Sequence, residues 1–433
     1  MKKGKKSALF SHYVIDGARK EMTPAQMLEE CMNGGRLVPD LDDQSESFED
    51  ILDESVDPEI HTSSDCPTNL EDCLNKVYFA RESNDPVSHH TESRLMKLAV
   101  AQALVDSVWN PELGLLPNLS LQLDWEWNEE PMGAFASFHS GVSALTSYLF
   151  DLNVSVAGAS YTPAPHDRLN VKVLPAADAI CDESLDCINL LDDCSTCDCS
   201  VSDCSASFIP SDERNKSHPS DEGNKFHPSD ERNKYHHFHD EMEASTPTDN
   251  HSPLAMDPSS WLVYVPFDTA VCHLGGSLYC DVIGSTGEPV QDLSDPCYFA
   301  DCFEVVKEIV HDGVALAGVT VGRGGLLTAM KELCSRGDNP VGVQVNIAGI
   351  LSLNSELDAR SVLFSELPGV IIQVADSDID YIDSQFLLQD VAYFPLGHPD
   401  FTSTNISVRQ DGKTGIAVIL DSLLGSQTAE GED

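Results

Sequence analysis

The sequence predicts a mixed fold, an α+β part followed by an α/β part, interrupted by long polar segments. In two blocks, 91–181 and 259–425, strand-like apolar runs alternate with helical periodicity. Residues 1–90, the N-terminal arm, are acidic with weak apolar periodicity, which predicts a mostly disordered segment. Residues 182–258, the insert, are cysteine-rich and acidic and then repetitive, which predicts a second disordered segment. Residues 426–433 form an acidic tail.

The first block predicts two helices followed by two strands. Apolar positions from Leu95 to Val108 predict a helix that ends at Asn110-Pro111, because proline cannot continue a helix. A second helix is expected over 141–152, and strands over 154–157 and 169–174.

The second block continues the alternation. In this block we expect helices at Phe303–Val310 and Leu326–Cys334. Outside it, we expect one short helix in the N-terminal arm, around Ala25 to Cys31. The expected strands are Trp261–Val265, Val314–Val321, Val341–Ile347 and Val370–Val374. Ile309, Val310, Ile371 and Ile372 are assigned to the core.

The charge excludes one class of function. The chain has 433 residues, with 72 acidic and 25 basic side chains and a formal charge of −47. Such a chain repels phosphate backbones, so we expect no direct nucleic-acid binding. No apolar run reaches the roughly 18 residues that a membrane helix needs, and we expect neither membrane association nor a signal peptide. The 14 cysteines are clustered rather than spread as a disulfide framework, which indicates a reducing, cytoplasmic compartment.

The insert contains a nine-residue unit repeated three times. Each copy reads Pro-Ser-Asp-Glu-(Arg/Gly)-Asn-Lys-x-His, over 210–218, 219–227 and 228–236. The unit has almost no apolar content, so it cannot bury enough surface to offset the entropy cost of ordering. Nine residues is also far below the period of a helical solenoid.

Two glycine-rich turns are candidates for phosphate binding. Gly322-Arg323-Gly324-Gly325 separates a strand from a helix, where backbone N–H groups can point at an anion. The alternative is a tight reversal that needs glycine for steric reasons only. His273-Leu274-Gly275-Gly276-Ser277 follows another strand, and there a plain loop with His273 at the surface is favoured.

Close thiol spacing raises the question of a metal. Cys194, Cys197 and Cys199 precede a segment with five histidines, a composition that suits zinc. The segment lacks the paired spacing of a closed finger and has no core around it, so adventitious binding is favoured over a structural site. No nucleophile elbow, Walker loop, HExxH or kinase set occurs, and we assign no catalytic residue and no metal ligand.

A series of short motifs occurs in order along the two blocks. They are RLMKLAVAQAL at Arg94–Leu104, Trp125-Glu126-Trp127, LNVSVAG at Leu152–Gly158, Ala164-Pro165 with Leu169–Ile180, Trp261–Val265, His273–Ser277, VLFSELPG at Val362–Gly369 and Leu396-Gly397-His398. In this order they resemble the phosphoribosylformylglycinamidine synthase family, specifically its C-terminal AIR-synthase-like module, and the resemblance covers about 92–181 and 259–400. Gammaherpesvirus tegument proteins are relatives of the same family.

The resemblance implies a fold with a ferredoxin-like α+β half and an α/β half. It also implies a degenerate nucleotide site. Where the family has Lys and Asp in a Gly-Gly-Lys-Asp-Ser turn, this chain has Gly158-Ala159-Ser160-Tyr161-Thr162. Where the family has His-Asp-x-Ser-Asp-Gly-Gly, only the two glycines remain, and Arg323 replaces an acidic residue. The candidate residues are Gly158, Ser160, Thr162, His273, Gly275, Gly276, Arg323, Gly324 and Gly325.

The function implied is therefore a non-catalytic relative that acts through protein–protein interaction. The acidic arm favours a basic protein partner, and the family's paired modules favour self-association. No cofactor is expected; a retained family site would take ATP or ADP with Mg²⁺. The alternatives are a fragment or subunit of a working synthase, which performs ATP- and glutamine-dependent amidation in purine synthesis, and a free-standing nucleotide- or metal-binding module. For localisation, the nucleus and the virion tegument are alternatives to the cytoplasm.

Overall fold

The computed structural model describes residues 7–32, 50–56, 70–83, 93–176, 252–285, 289–353 and 357–410. Strands and helices alternate on both sides of the insert, so the predicted mixed fold class is confirmed. The nine-residue repeats, most of the insert and the acidic tail lie outside the described residues. Residues before and after the insert belong to one compact unit, made of 1–180 and 246–433.

Parts of the N-terminal arm, residues 7–32, 50–56 and 70–83, contribute to the folded unit. Its elements are β1 (Tyr13–Ile15), β2 (Ala18–Arg19), α1 (Pro24–Glu30), β3 (Ile51–Asp53) and α2 (Leu70–Ser83). The strands form a sheet in the order β2-β1-β3. Tyr13, Leu28, Ile51 and Val77 are all buried in hydrophobic clusters. Strands of two or three residues are too short to show an alternating pattern, so these strands could not be predicted from the sequence.

The predicted helix near Ala25 is confirmed as α1. Thr23 caps it: its hydroxyl oxygen accepts a hydrogen bond from the Gln26 N–H, and the Gln26 side chain accepts one from the Thr23 N–H. This reciprocal pair, with Pro24 at the first helical position, defines where the helix begins.

The first block folds as two helices on a three-stranded sheet. It consists of α3 (Ser93–Asp106), β4 (Leu119–Trp127), α4 (Ala134–Asp151), β5 (Ser155–Pro163) and β6 (Arg168–Pro175). The sheet order is β5-β4-β6, with β4 parallel to β5 and antiparallel to β6. Alternate residues of β4, from Leu119 to Trp127, are buried, as expected for a sheet with one face on the core.

Helix α4 begins seven residues before the predicted start. Gly133, with φ of +83°, precedes its first turn, and the Asp53 carboxylate accepts hydrogen bonds from three N–H groups there. A carboxylate at this position satisfies unpaired donors and complements the helix dipole. The N-terminal arm therefore supplies the cap of a helix in the first block.

The second block is built on a four-stranded sheet in the order β11-β7-β10-β8, in which every pairing is antiparallel. A smaller sheet has the order β12-β9-β13. The elements are β7 (Trp261–Pro266), α5 (Leu278–Ile283), α6 (Pro296–His311), β8 (Ala315–Val321), α7 (Gly325–Cys334), β9 (Gly342–Asn346), α8 (Ala348–Leu351), α9 (Ala359–Phe364), β10 (Gly369–Val374), α10 (Ile379–Leu388), β11 (Phe394–Gly397), β12 (Pro399–Asp400) and β13 (Ile406–Arg409).

Polar contacts join the segment that follows α3 to the second block. The Trp109 indole N–H donates to Thr320 Oγ1 at 2.9 Å, and Gly318 provides the space for the indole ring. The buried Lys307 of α6 donates from Nζ to three backbone carbonyls in the turn after α3. Ile309, Val310, Ile371 and Ile372 are buried, which confirms their assignment to the core. Among the described residues, no helix has the length and apolar character needed to cross a membrane.

Candidate functional site

The two glycine-rich turns lead directly into helices. The turn at 273–277 precedes α5, which is capped by Ser277: its Oγ accepts a hydrogen bond from the Cys280 N–H at 3.3 Å. The turn at 322–325 joins β8 to α7, and Gly324, with φ of +89°, stands at the cap position. Both turns therefore present backbone N–H groups at the start of a helix, as the sequence predicted for the second of them.

Gly325 is required by close packing as well as by its backbone conformation. Its φ is +76°, and a Cβ atom there would lie 2.7 Å from the backbone of Phe364 and of Ser365. No L side chain fits at that distance, so the second turn is pressed against the chain segment that follows α9.

That segment contains Glu366, which connects the two turns. The Glu366 side chain is buried, and its Oε1 accepts hydrogen bonds from the Leu278 N–H at 2.8 Å and the Gly324 N–H at 2.8 Å. Its backbone carbonyl accepts a bond from the Gln102 side chain of α3 at 3.2 Å. One carboxylate thus occupies donors at the beginnings of α5 and α7.

The electrostatics of this cluster are set mainly by burial. Burial raises the pKa of Glu366, while the Leu278 and Gly324 N–H groups, Arg323 and Arg81 oppose the rise. Burial, followed by the charge of Glu366, raises the pKa of Asp281 to about 7, and Arg323 opposes that shift. Asp281 on α5 therefore changes charge near neutral pH, unlike an exposed aspartate.

The 273–277 turn is held by the strand-like segment at 289–291. The His273 N–H donates to the buried Gln291 Oε1 at 2.9 Å, and the Gly275 N–H donates to the Pro289 carbonyl at 2.9 Å. Gly276 has φ of +72°, and a Cβ there would meet the Leu95 side chain of α3 at 2.8 Å. The turn is thus fixed by contacts within the chain.

The predicted residues Gly158, Ser160 and Thr162 do not lie in a turn. The sequence comparison aligned them with a family turn, but the structure places them within β5, paired with β4 in parallel register. The Ser160 hydroxyl donates to Asp124 Oδ1 at 2.6 Å, and a Cβ on Gly158 would lie 2.5 Å from the Gln122 side-chain oxygen. They belong to the sheet β5-β4-β6, whereas the other candidates stand at β8, α5 and α7.

The cysteine- and histidine-rich stretch that raised the question of zinc lies outside the described residues. Within the described ranges, no three His, Cys, Asp or Glu side chains are grouped so that they could hold a metal ion. Sequence reasoning missed Glu366 and Asp281. The available signal was a glutamate between the apolar residues Phe364 and Leu367, a pattern typical of a buried acid with backbone partners.

Comparison with known sequences finds relatives in animals and in a plant. Human phosphoribosylformylglycinamidine synthase is 26% identical over 172 residues, which is 40% of this chain and 12% of the human protein. The probable chloroplastic or mitochondrial enzyme of Arabidopsis thaliana is 25% identical over 156 residues, 36% of this chain and 10% of that protein. The chain is similar to phosphoribosylformylglycinamidine synthase. The resemblance stated from the sequence is thereby confirmed, although no protein-family model matches the chain.

The similarity to the synthase covers only a small part of that enzyme. The matched segment is 12% of the human protein and 10% of the Arabidopsis thaliana protein. Among solved structures, PurLQS of Thermotoga maritima has a TM-score of 0.43 at 13% identity, covering 75% of this chain and 41% of that one. Thermotoga maritima PurL complexed with FGAR has a TM-score of 0.42 at 12% identity, covering 82% and 53%.

Proposed function

We propose that the chain is a non-catalytic relative of the AIR-synthase-like module of phosphoribosylformylglycinamidine synthase that acts by binding other proteins. The observation that carries this proposal is that Gly158 to Thr162 lie within β5, paired with β4, and not in the anion-binding turn that the resemblance implies. The Glu366 carboxylate also accepts the N–H groups of Leu278 and Gly324 at the start of both glycine-turn helices, so these two donors are not free for a phosphate.

The surrounding charges support the same reading. A nucleotide phosphate at these turns would approach Glu366 and Asp281, with Arg323 as the nearby basic residue of the second turn. Wherever these acids are ionised, their negative charge opposes the binding of an anion. At the other predicted position, Gly158 to Thr162 are engaged in strand pairing, so their backbone is not arranged as an anion-binding turn.

A second candidate is a fragment or subunit of a working synthase. The similarity to the human enzyme over 172 residues favours it. Val362–Gly369 resembles the family motif VLFAEEPG, which also has a glutamate at the position of Glu366. Capping by that glutamate is therefore compatible with a nucleotide-binding relative, and a direct binding measurement is needed to separate the two functions.

The test is isothermal titration of the full chain with ATP and with ADP, each with and without Mg²⁺. We expect no saturable heat at millimolar nucleotide for a sample that shows a cooperative thermal transition. Saturable, Mg²⁺-dependent binding would overturn the proposal and favour the synthase subunit. In that case, amidation should appear when partner subunits and glutamine are added.

We further propose that the partner is a basic protein and that the chain self-associates. The formal charge of −47 supports the first point, because opposite charge increases the association rate and makes it dependent on salt. Light scattering tests the second point: a monomer at high concentration counts against it. We propose a cytoplasmic site of action, which imaging of the tagged full chain would test.

A further inference from the structure

A cavity lies between helix α6 and the loop that follows α3. Its volume is about 380 Å³, within the range of pockets that hold a small ligand or one large side chain. The lining residues are Pro111, Leu113, Gly114, Leu115, Glu304, Lys307, Glu308 and His311. None of them belongs to the glycine turns or to the Glu366 cluster.

Lys307 lies beneath this cavity but is already fully engaged. Its Nζ donates to the carbonyl oxygens of Ser107 at 3.3 Å, Val108 at 3.2 Å and Asn110 at 2.5 Å. An ammonium group has three protons, so these three bonds leave no donor for an anion in the cavity. Lys307 therefore offers no free donor to an anion in the cavity.

The acidic residues at the rim have no such partners. Glu304 and Glu308 are one helical turn apart on α6, and both are exposed. Neither carboxylate makes an ion pair or a hydrogen bond to any residue that the structure describes. Residues four apart on a helix have their Cβ atoms roughly 5–6 Å from each other, so the two carboxylates flank one opening.

The opposite wall is apolar. Pro111, Leu113 and Leu115 come from the loop after α3, and the Leu115 side chain is 39% exposed. A ligand matched to this cavity has an apolar stem along the loop and a positive head between the carboxylates. An arginine side chain combines these parts, and its planar guanidinium can bond two carboxylates at once.

We propose that this cavity binds an arginine side chain of a basic partner protein. The inference rests on the proposed function only in taking the partner to be a protein. Lys307 places one positive charge in the cavity wall, but three backbone carbonyls surround it, and the two rim carboxylates outnumber it. The net negative rim and the apolar wall together favour a cation with an apolar stem. Lysine would fit less well, because its ammonium is a compact, strongly hydrated charge that lacks the forked geometry.

The experiment uses three tripeptides, with a central arginine, citrulline or glutamate and blocked ends. Citrulline has nearly the shape of arginine but no charge. Each is titrated to millimolar concentration into the full chain with labelled leucine methyl groups. The arginine peptide is expected to shift the Leu113 and Leu115 methyl signals saturably, and the other two are not.

A double variant, Glu304→Gln with Glu308→Gln, is expected to weaken arginine-peptide binding about fivefold to tenfold, as two exposed charge pairs would. Asp301→Asn, an exposed residue on α6 outside the cavity, is the matched control and should leave the affinity unchanged. Equal binding of citrulline, preference for the glutamate peptide, no shift at all, or unchanged affinity in the double variant would each overturn the proposal. The nucleotide titration concerns the glycine turns, so failure of one proposal is distinguishable from failure of the other.

Discussion

The carboxylate of Glu366 accepts a 2.8 Å hydrogen bond from the backbone N–H of Gly324, at the cap of α7. The same oxygen accepts the N–H of Leu278, so one buried side chain joins α7, α5 and the segment before β10. Buried donors that lose such a partner carry the full cost of desolvation, so this contact should contribute measurably to the stability of the second block.

Replacing Glu366 by alanine should therefore lower the free energy of unfolding by about 3 kcal/mol, because two N–H groups would lose their partner. Glu366→Gln should cost only about 1 kcal/mol, because its amide oxygen can still accept both bonds. Denaturant unfolding of the two variants measures the difference. Equal stability of the alanine and glutamine variants would contradict the assigned role.

Asp281 should make stability depend on pH. Its pKa is raised from 3.8 to about 7, chiefly by burial, so the folded state holds a proton that the unfolded state has lost. The stability from this group is present at acidic pH and is lost as the pH rises from about 4 through 7. An asparagine side chain does not titrate, so in Asp281→Asn the decrease in the free energy of unfolding between acidic and neutral pH should be smaller by about 1–2 kcal/mol. This figure allows for the partial exposure of the side chain to solvent. Unfolding curves at several pH values, with the exposed Asp301→Asn as control, test this.

Gly318 should not tolerate a side chain. A Cβ there would collide with the Trp109 ring and lie 3.0 Å from the Ile371 carbonyl. We expect Gly318→Ala to destabilise the protein by about 3 kcal/mol, since either the ring or β8 must move. Gly349→Ala is the matched control: its Cβ would have Phe394 as nearest contact at 3.6 Å, an ordinary distance. Thermal unfolding that shows the same change for both variants would argue against the collision.

The Asp53 carboxylate should contribute measurably to stability although it lies in the N-terminal arm. It accepts N–H groups of Gly133, Phe135 and Ala136 at 3.2, 2.9 and 3.0 Å. Asp53→Ala should cost about 2 kcal/mol, the upper range for the loss of a helix cap, whereas Glu54→Gln beside it should have little effect. Hydrogen exchange at the start of α4 provides a local readout, and unchanged protection there would contradict the assignment.

The sequence predicted the elements that have a strong internal pattern. Helix α7 and the strand β10 were expected almost at their observed bounds, because their apolar residues repeat with a clear period. β5 was expected to end at Ala157 but continues to Pro163, since its extension depends on pairing with β4. Such pairing is a long-range property and leaves little trace in the strand itself.

The candidate site was predictable only in part, for a related reason. Both glycine turns were expected, because glycine marks tight backbone conformations wherever it occurs. Glu366 was not, since its partners lie 88 and 42 positions away along the chain. A glutamate by itself does not indicate which distant N–H groups it will meet, and only the fold brings them together.

The position of the insert has a consequence for how the protein could be divided. The chain leaves the compact unit after β6 and returns before β7, yet one hydrophobic cluster contains Leu104 and Phe138 from one side and Val263 and Phe299 from the other. Neither piece can complete that cluster alone. We therefore expect residues 1–180 and 246–433 to associate when they are expressed as separate polypeptides, and to reconstitute the native unit. On this expectation, the peptide connection between them is not needed for assembly, and the two halves would work as a two-part complementation system.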